Sequence, residues 1–246
     1  MRVERGWAIA LFIVGAGLCF VPLFDVLGYE WCLATALVSS LAGAQLGAAR
    51  VWQERRERAP SAVTAAEAHA GRAVATLWAS ATLRVWACLL APLAAILLNA
   101  LRVRNCDLGA GFGWFVTLPM CSAAMGAGAG TVAGLLRPWR RRWAATAIAM
   151  GIVVASIGWG VWRFYAAPPI FGYDPFVGYF AGTLYDEDVA IGRAFLWARL
   201  YDATLLAAAL AICARQLDGA TLALTVWRAR PERRGVRAAT LALLAA

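Results

Sequence analysis

Leu135-Leu-Arg-Pro-Trp-Arg-Arg-Arg-Trp143 sets four arginines between two apolar stretches, Trp114 to Leu136 and Trp143 to Trp162. Each flanking stretch has about the 20 residues that a membrane-crossing helix needs. The cluster therefore reads as a loop between two spans, kept on the cytoplasmic side by the rule that arginine and lysine are retained there. With that side fixed, the rest of the chain is assigned outward from it in both directions.

Upstream, Arg2 and Arg5 precede a first span, about Trp7 to Phe24, which runs outward. No small-x-small cleavage site follows it, so it reads as an uncleaved span and not as a signal peptide. The connection Asp25 to Glu30 carries two acids and no base. A second span, about Trp31 to Ala49, returns to Arg50, Arg55, Arg56 and Arg58. Residues 60–83 are alanine-rich with scattered Glu67, His69 and Arg72, which suits a helix on the cytoplasmic surface. The alternative is an early start to span three, about Val85 to Leu101.

Downstream of span five, Arg163 to Arg199 is the longest outer segment, span six covers about Leu200 to Ala214, and Arg215 to Arg237 is basic again. From Ala238 to Ala246 a new apolar stretch opens. At about 1.5 Å per residue it does not cross ~30 Å of hydrocarbon. It reads either as the start of a seventh outward span in a longer chain or as a short tail helix on the inner surface.

All 23 basic residues are arginine, and 17 of them fall on the side assigned as inner, against five outside and Arg84 near a span end. Tryptophan, which favours membrane interfaces, agrees: Trp7, Trp52 and Trp143 lie near inner boundaries, Trp31, Trp114 and Trp162 near outer ones. The composition is 62% hydrophobic and 15% charged, with mean hydropathy +0.66. A soluble domain would be about 45–50% apolar. The expectation is an all-α polytopic membrane helix bundle of six spans plus an incipient seventh, N-terminus inside, in the inner membrane of a bacterium. The net charge of +9 is spread over span ends, which points to the bilayer and its anionic inner-leaflet lipids as partners and away from nucleic acid.

The single histidine, His69, leaves no ligand set for haem or for HExxH zinc chemistry, so no cofactor is expected. None of the six cysteines has metal-ligand spacing. Cys32 and Cys106 fall near the outer surface and are the candidate disulfide, a pairing that sequence alone leaves open. Gly43/Gly47, Gly126/Gly130 and Gly130/Gly134 are spaced by four, which allows close helix contact in lipid; no phosphate-binding loop is present.

The least ordinary stretch is Pro168-Pro-Ile-Phe-Gly-Tyr-Asp-Pro-Phe-Val-Gly-Tyr-Phe-Ala-Gly-Thr-Leu-Tyr-Asp-Glu-Asp188, whose prolines and glycines forbid a regular helix through Gly182. Its Asp174, Asp186, Glu187 and Asp188, with Asp25 and Glu30, put several carboxylates on the outer face. Such an oxygen-rich face suits a hard cation, or the acids simply solvate the loop. Arg199 and Asp202, three apart on span six, share a helix face and are placed to pair at the outer boundary.

Three pieces, 24–30, 98–107 and 171–187, resemble the N-terminal membrane regions of poorly characterised bacterial multi-pass proteins, about thirty-five residues in all. In some of these an extracytoplasmic domain similar to zinc metallopeptidases follows. This chain has no such domain, so the resemblance implies no peptidase activity for it. The functional expectation is a membrane module, more a scaffold than an enzyme, that anchors or serves an extracytoplasmic domain or partner protein through its aromatic-acidic loop. A permease subunit is the alternative; its path would need Thr35, Ser39, Ser40, Gln45, Thr117, Ser122 and Thr131. A lipid-linked glycosyltransferase using Asp25 and Glu30 ranks third.

Overall fold

Pro22 has no N–H to bond Leu18 O and its ring would crowd that carbonyl, so the first helix does not continue past Leu18. α1 covers Arg2–Leu18, and the chain leaves it through turns in which Cys19, Phe20 and Val21 bond back to Ala16, Gly17 and Leu18. The computed structural model describes residues 2–57, 70–105, 107–136, 141–166, 171–181, 189–218 and 221–225. The expectations for Glu67, His69, Cys106, Arg137, Arg140, Asp186, Glu187, Asp188 and Ala238 to Ala246 fall outside those residues.

α2 spans Tyr29–Glu57, and α3 spans Ala70–Asn99. Residues 70–83, expected as part of a surface helix, are continuous with the third expected span in one 30-residue helix. Buried Val74, Leu77, Ala81, Val85, Cys88 and Leu89 recur at three- and four-residue intervals, so a single stripe of α3 is packed throughout. The next span is continuous but changes pitch: α4 (Leu108–Phe115), a π-helical turn (Val116–Met120), then α5 (Cys121–Leu135). Asp107 caps α4 by accepting from Ala110 N at 2.8 Å. α6 is Arg142–Ala166 and α7 is Arg193–Gln216. Both reach beyond their expected ends, so the connection between them is 167–192 where 163–199 was expected.

The chain is mostly helical, and five of its helical stretches are long and apolar enough to cross a membrane, as in a multi-pass membrane protein. α1, at 17 residues, is shorter than these. Among the described residues two small antiparallel hairpins join the helices: β1 (Phe171–Asp174) with β2 (Gly178–Ala181), and β3 (Leu217–Asp218) with β4 (Ala223–Leu224).

Contacts fix the relative direction of the helices. Glu4 pairs with Arg84 at 2.8 Å, Gly15 lies against Pro92, and Arg102 donates to Cys19 O, so α1 and α3 are parallel. Ser40 faces Gly126, Ala44 faces Gly130 and Val51 faces Gly134, so α2 and α5 are parallel as well. α6 runs from Ala149, in a cluster with Ala133, to Ser156, which reaches Asp174 in β1. The bundle therefore has an arginine end, with Arg50, Arg55 and Arg215, and a hairpin end. At the arginine end Arg55 holds the β3–β4 turn through Thr221 O and Leu222 O, and Leu222 is buried with Val51, Val74, Leu77, Leu135 and Cys213.

The α2–α5 seam is the tightest in the molecule. A Cβ placed on Gly43, Gly47, Gly126 or Gly130 would collide with backbone of the facing helix, which has no freedom to move aside. Glycine here lets two backbones meet where hydrophobic driving force between helices is absent. Gly130→Val is expected to destabilise the folded protein by at least the ~1–3 kcal/mol typical of overpacking. Gly151→Ala, at a position where nothing lies within 4 Å, is expected to stabilise α6 by roughly 0.5–1 kcal/mol. Thermal unfolding in detergent checks both; equal midpoints for the two variants would contradict the seam.

Candidate functional site

Pro119 supplies no N–H and its ring crowds the carbonyl four residues before it. The span accommodates it by widening into the π turn, a local feature frequent at functional sites. Three carbonyls of this turn accept from side chains on three other helices. Ser39 of α2 lies 3.0 Å from Pro119 O, Trp86 of α3 donates to Met120 O at 2.9 Å, and Arg199 of α7 donates from Nε to Thr117 O at 2.9 Å.

Arg199 is the centre of the site. Its side chain is 8% exposed, and Phe195 sits 5.5 Å from the guanidinium. Nη1 donates to Pro175 O at 3.1 Å and to Asp202 Oδ2 at 3.2 Å, and Nη2 donates to Ser122 Oγ at 3.1 Å. The planar guanidinium, with its fixed fork of donors, thus ties α7, the π turn, α5 and the β1–β2 connection together. The pair with Asp202, expected from the i, i+3 spacing, is made within this network, with the arginine side chain 8% and the aspartate side chain 15% exposed.

The β1–β2 hairpin is built to meet that arginine. Asp174 Oδ1 accepts from Phe176 N at 2.8 Å and Val177 N at 2.9 Å, closing an Asx turn, while Oδ2 accepts from Ser156 of α6 at 2.6 Å. The three-residue connection Pro175-Phe-Val ends at Gly178, whose φ of +106° completes the reversal. A Cβ on Gly178 would also strike Arg199 Nη2 and Leu118 Cδ2, so glycine is required twice over. Above the arginine, aromatic rings fasten the hairpin. Tyr29 donates to Tyr179 O at 2.8 Å and meets Trp114 edge-on at 5.2 Å. Tyr179 lies 5.6 Å from Phe195 and 5.7 Å from Tyr173.

Asp174 is therefore occupied in shaping its own turn. Asp25 and Glu30 lie at the same end, where Asn99 donates to Asp25 backbone O at 2.6 Å and Asn105 to Leu27 O at 3.2 Å. Among the described residues no three His, Cys, Asp or Glu side chains gather as a metal site; Asp186, Glu187 and Asp188 lie outside them. Among the described residues Cys32 is a free, buried thiol directed at Gly111 O, and its expected partner Cys106 lies outside them. The polar groups that a permease path would need are hydrogen-bonded: Thr35 to Trp31 O, Ser40 to Leu37 O, Thr117 to Gly113 O, Thr131 to Ala127 O, Gln45 by Trp7 and Ser122 by Arg199, whereas the buried Thr82 hydroxyl of α3 has no partner among the described residues. Sequence reading missed Ser122 Oγ, Thr117 O and Pro175 O as Arg199 partners, and Gly178 as the residue packed against its guanidinium; Pro119 inside a span was the available signal.

The described parts of the three segments that carry the resemblance, 24–30, 98–105 and 171–181, distant in sequence, meet at the hairpin end through Tyr29–Tyr179, Asn99–Asp25 and Asn105–Leu27. No protein-family model, curated protein or solved structure matches the chain.

Removing one member of a buried ion pair typically costs about 3–5 kcal/mol. Arg199→Met is expected to release the hairpin on that scale, read as faster hydrogen exchange at the Phe176 and Val177 amides. Arg199→Met combined with Asp202→Leu should recover part of the loss, since no unpaired carboxylate then remains. Unchanged exchange in Arg199→Met would remove the arginine from its central role.

Proposed function

We propose that this chain is an integral membrane module of a bacterial inner membrane, with its N-terminus and arginine end in the cytoplasm, that holds the hairpin face as a docking surface for an extracytoplasmic domain or partner protein. The observation that carries this reading is the clamping of the β1–β2 hairpin to four elements by Arg199, Ser156 and the aromatic pile. A loop that merely linked two spans would need no such fastening, whereas a fixed surface lowers the ordering cost of binding a partner. The exposed ring of Tyr173, 42% accessible, and the apolar rim of Phe20, Leu23 and Leu101 lie at this same end. The likeness of segments 24–30, 98–107 and 171–187 to multi-pass proteins that carry outer domains points the same way.

The permease reading has less support, because the polar groups it requires are already bonded, Gln45 by Trp7, Ser122 by Arg199 and the others to backbone carbonyls. The glycosyltransferase reading has less still, because Asp25 and Glu30 gather no third acid among the described residues.

In intact spheroplasts, a membrane-impermeant maleimide should label Gly192→Cys, at the exposed start of α7, and should label Glu57→Cys only after permeabilisation, in a background lacking native cysteines. The reverse pattern would invert the orientation. A photo-crosslinking residue at Tyr173 is expected to give a discrete protein adduct, while the same residue at Trp143 gives none. Adducts to lipid alone at Tyr173 would sink the docking reading.

A further inference from the structure

β1 and β2 form a sheet of two strands, so each has one edge that the other leaves unpaired. The register sets Tyr173 opposite Tyr179 and Gly172 opposite Phe180. In an antiparallel pair the backbone groups of successive residues alternate between facing the other strand and facing away from it. Tyr179 O accepts from the Tyr29 hydroxyl at 2.8 Å, so Tyr173 and Tyr179 are a pair whose N–H and C=O groups face outward. By the same alternation, the N–H and C=O of Phe171 and Tyr173 lie along the free edge of β1.

The two edges differ. That of β2 is covered, because Tyr29 of α2 takes the Tyr179 carbonyl. On β1 no hydrogen bond to the described residues takes the Tyr173 N–H or C=O, and the residue is 42% exposed. An exposed edge is a template for another strand, and native edges are commonly blunted by a bulge, a proline or a lysine. Phe171-Gly-Tyr-Asp174 has no proline or lysine, and its four pairs run without a bulge.

A strand added to β1 would send alternate side chains to the two faces of the sheet. On one face Tyr173 stacks with Tyr179 and Phe195. The other is the face that Asp174 turns to Ser156 of α6. There Gly172 carries no side chain, and a cleft of about 330 Å³ lies between the hairpin and Ile157, Val161, Phe164 and Tyr165 of α6. Such a cleft admits a bulky apolar side chain. A second copy of β1, paired edge to edge, would offer this face only Gly172 and Asp174, and Asp174 is already bonded to Phe176, Val177 and Ser156. Edge and cleft together therefore fit a different strand, with a bulky apolar residue beside Gly172.

We propose that the hairpin receives its extracytoplasmic partner by strand addition: an extended segment of that partner pairs with β1 through Phe171 and Tyr173 and places one apolar side chain in the cleft against α6. The inference rests on the docking role of the hairpin face and specifies its chemistry, main-chain hydrogen bonds for affinity and one side-chain pocket for selectivity.

The test uses the full chain in membranes of its native host, with a photo-crosslinking residue at Tyr173. Phe171→Pro deletes one outward N–H and leaves the bonds between β1 and β2 in place, since proline is tolerated on an edge. Phe171→Ala loses the same side chain and keeps the N–H. The proline variant should give about fivefold less protein adduct than the alanine variant. Gly160→Trp, at a cleft position where nothing lies within 4 Å, should lower the adduct as well. Hydrogen exchange at the Tyr173 amide of the unsubstituted chain should be at least tenfold slower in these membranes than in the purified chain, a readout that requires no variant to fold. Equal yields from the proline and alanine variants, or an unprotected Tyr173 amide where the adduct forms, would overturn strand addition and leave docking intact. Absence of any protein adduct from Tyr173 would remove the docking role itself, and an adduct between two copies of this chain would overturn the inference in favour of self-pairing.

Discussion

One proline inside a span sets much of the architecture. Pro119 removes a backbone donor at a depth where no water replaces it, and the π turn around it presents carbonyls that helical neighbours can reach. Ser39, Trp86 and Arg199 use them, which brings α2, α3 and α7 to a single level of the bundle. In water such bonds would be exchanged for solvent at small net gain. Inside hydrocarbon the alternative is an unsatisfied group, so the turn acts as a fixed point about which the other helices are arranged.

The rest of the packing follows from the glycine seam. α2 and α5 approach backbone to backbone along Gly43, Gly47, Gly126 and Gly130, which aligns the two parallel spans and thereby sets the heights of Tyr29 and Trp114. Those rings in turn define the platform on which Tyr179 and Phe195 settle. The hairpin is held from below by Arg199 and from the side by Ser156, so its conformation is inherited from span packing more than from its own four ladder positions. An isolated two-stranded hairpin is at best marginally stable.

Much of the bundle was legible because its signals are local. Arginine clusters and apolar runs marked the spans, and a four-residue glycine spacing marked the seam. The i, i+3 relation of Arg199 and Asp202 was equally visible. Three features were not. The start of α3 was hidden by the alanine-rich, weakly apolar stretch 70–83, whose helix is maintained by contacts of Val74 and Leu77 with other elements. The hairpin was hidden by Pro175 and the glycines around it, which forbid helix without specifying strand. The bonds of Arg199 to Thr117 O, Ser122 and Pro175 O join positions up to 82 residues apart, a separation over which one sequence carries no pattern.

The sequence by itself determined that this is a multi-pass helical chain, where most of its spans lie and which loops share a charge sign, because hydropathy and arginine placement act residue by residue. Only the tertiary structure decided which helices touch, that Ser39, Trp86 and Arg199 meet the π-turn carbonyls, and that segments 24–30, 98–105 and 171–181 converge at one end. The physical reason is that in lipid the unpaired backbone and side-chain groups choose partners by proximity in the packed bundle, and proximity is a property of the whole fold.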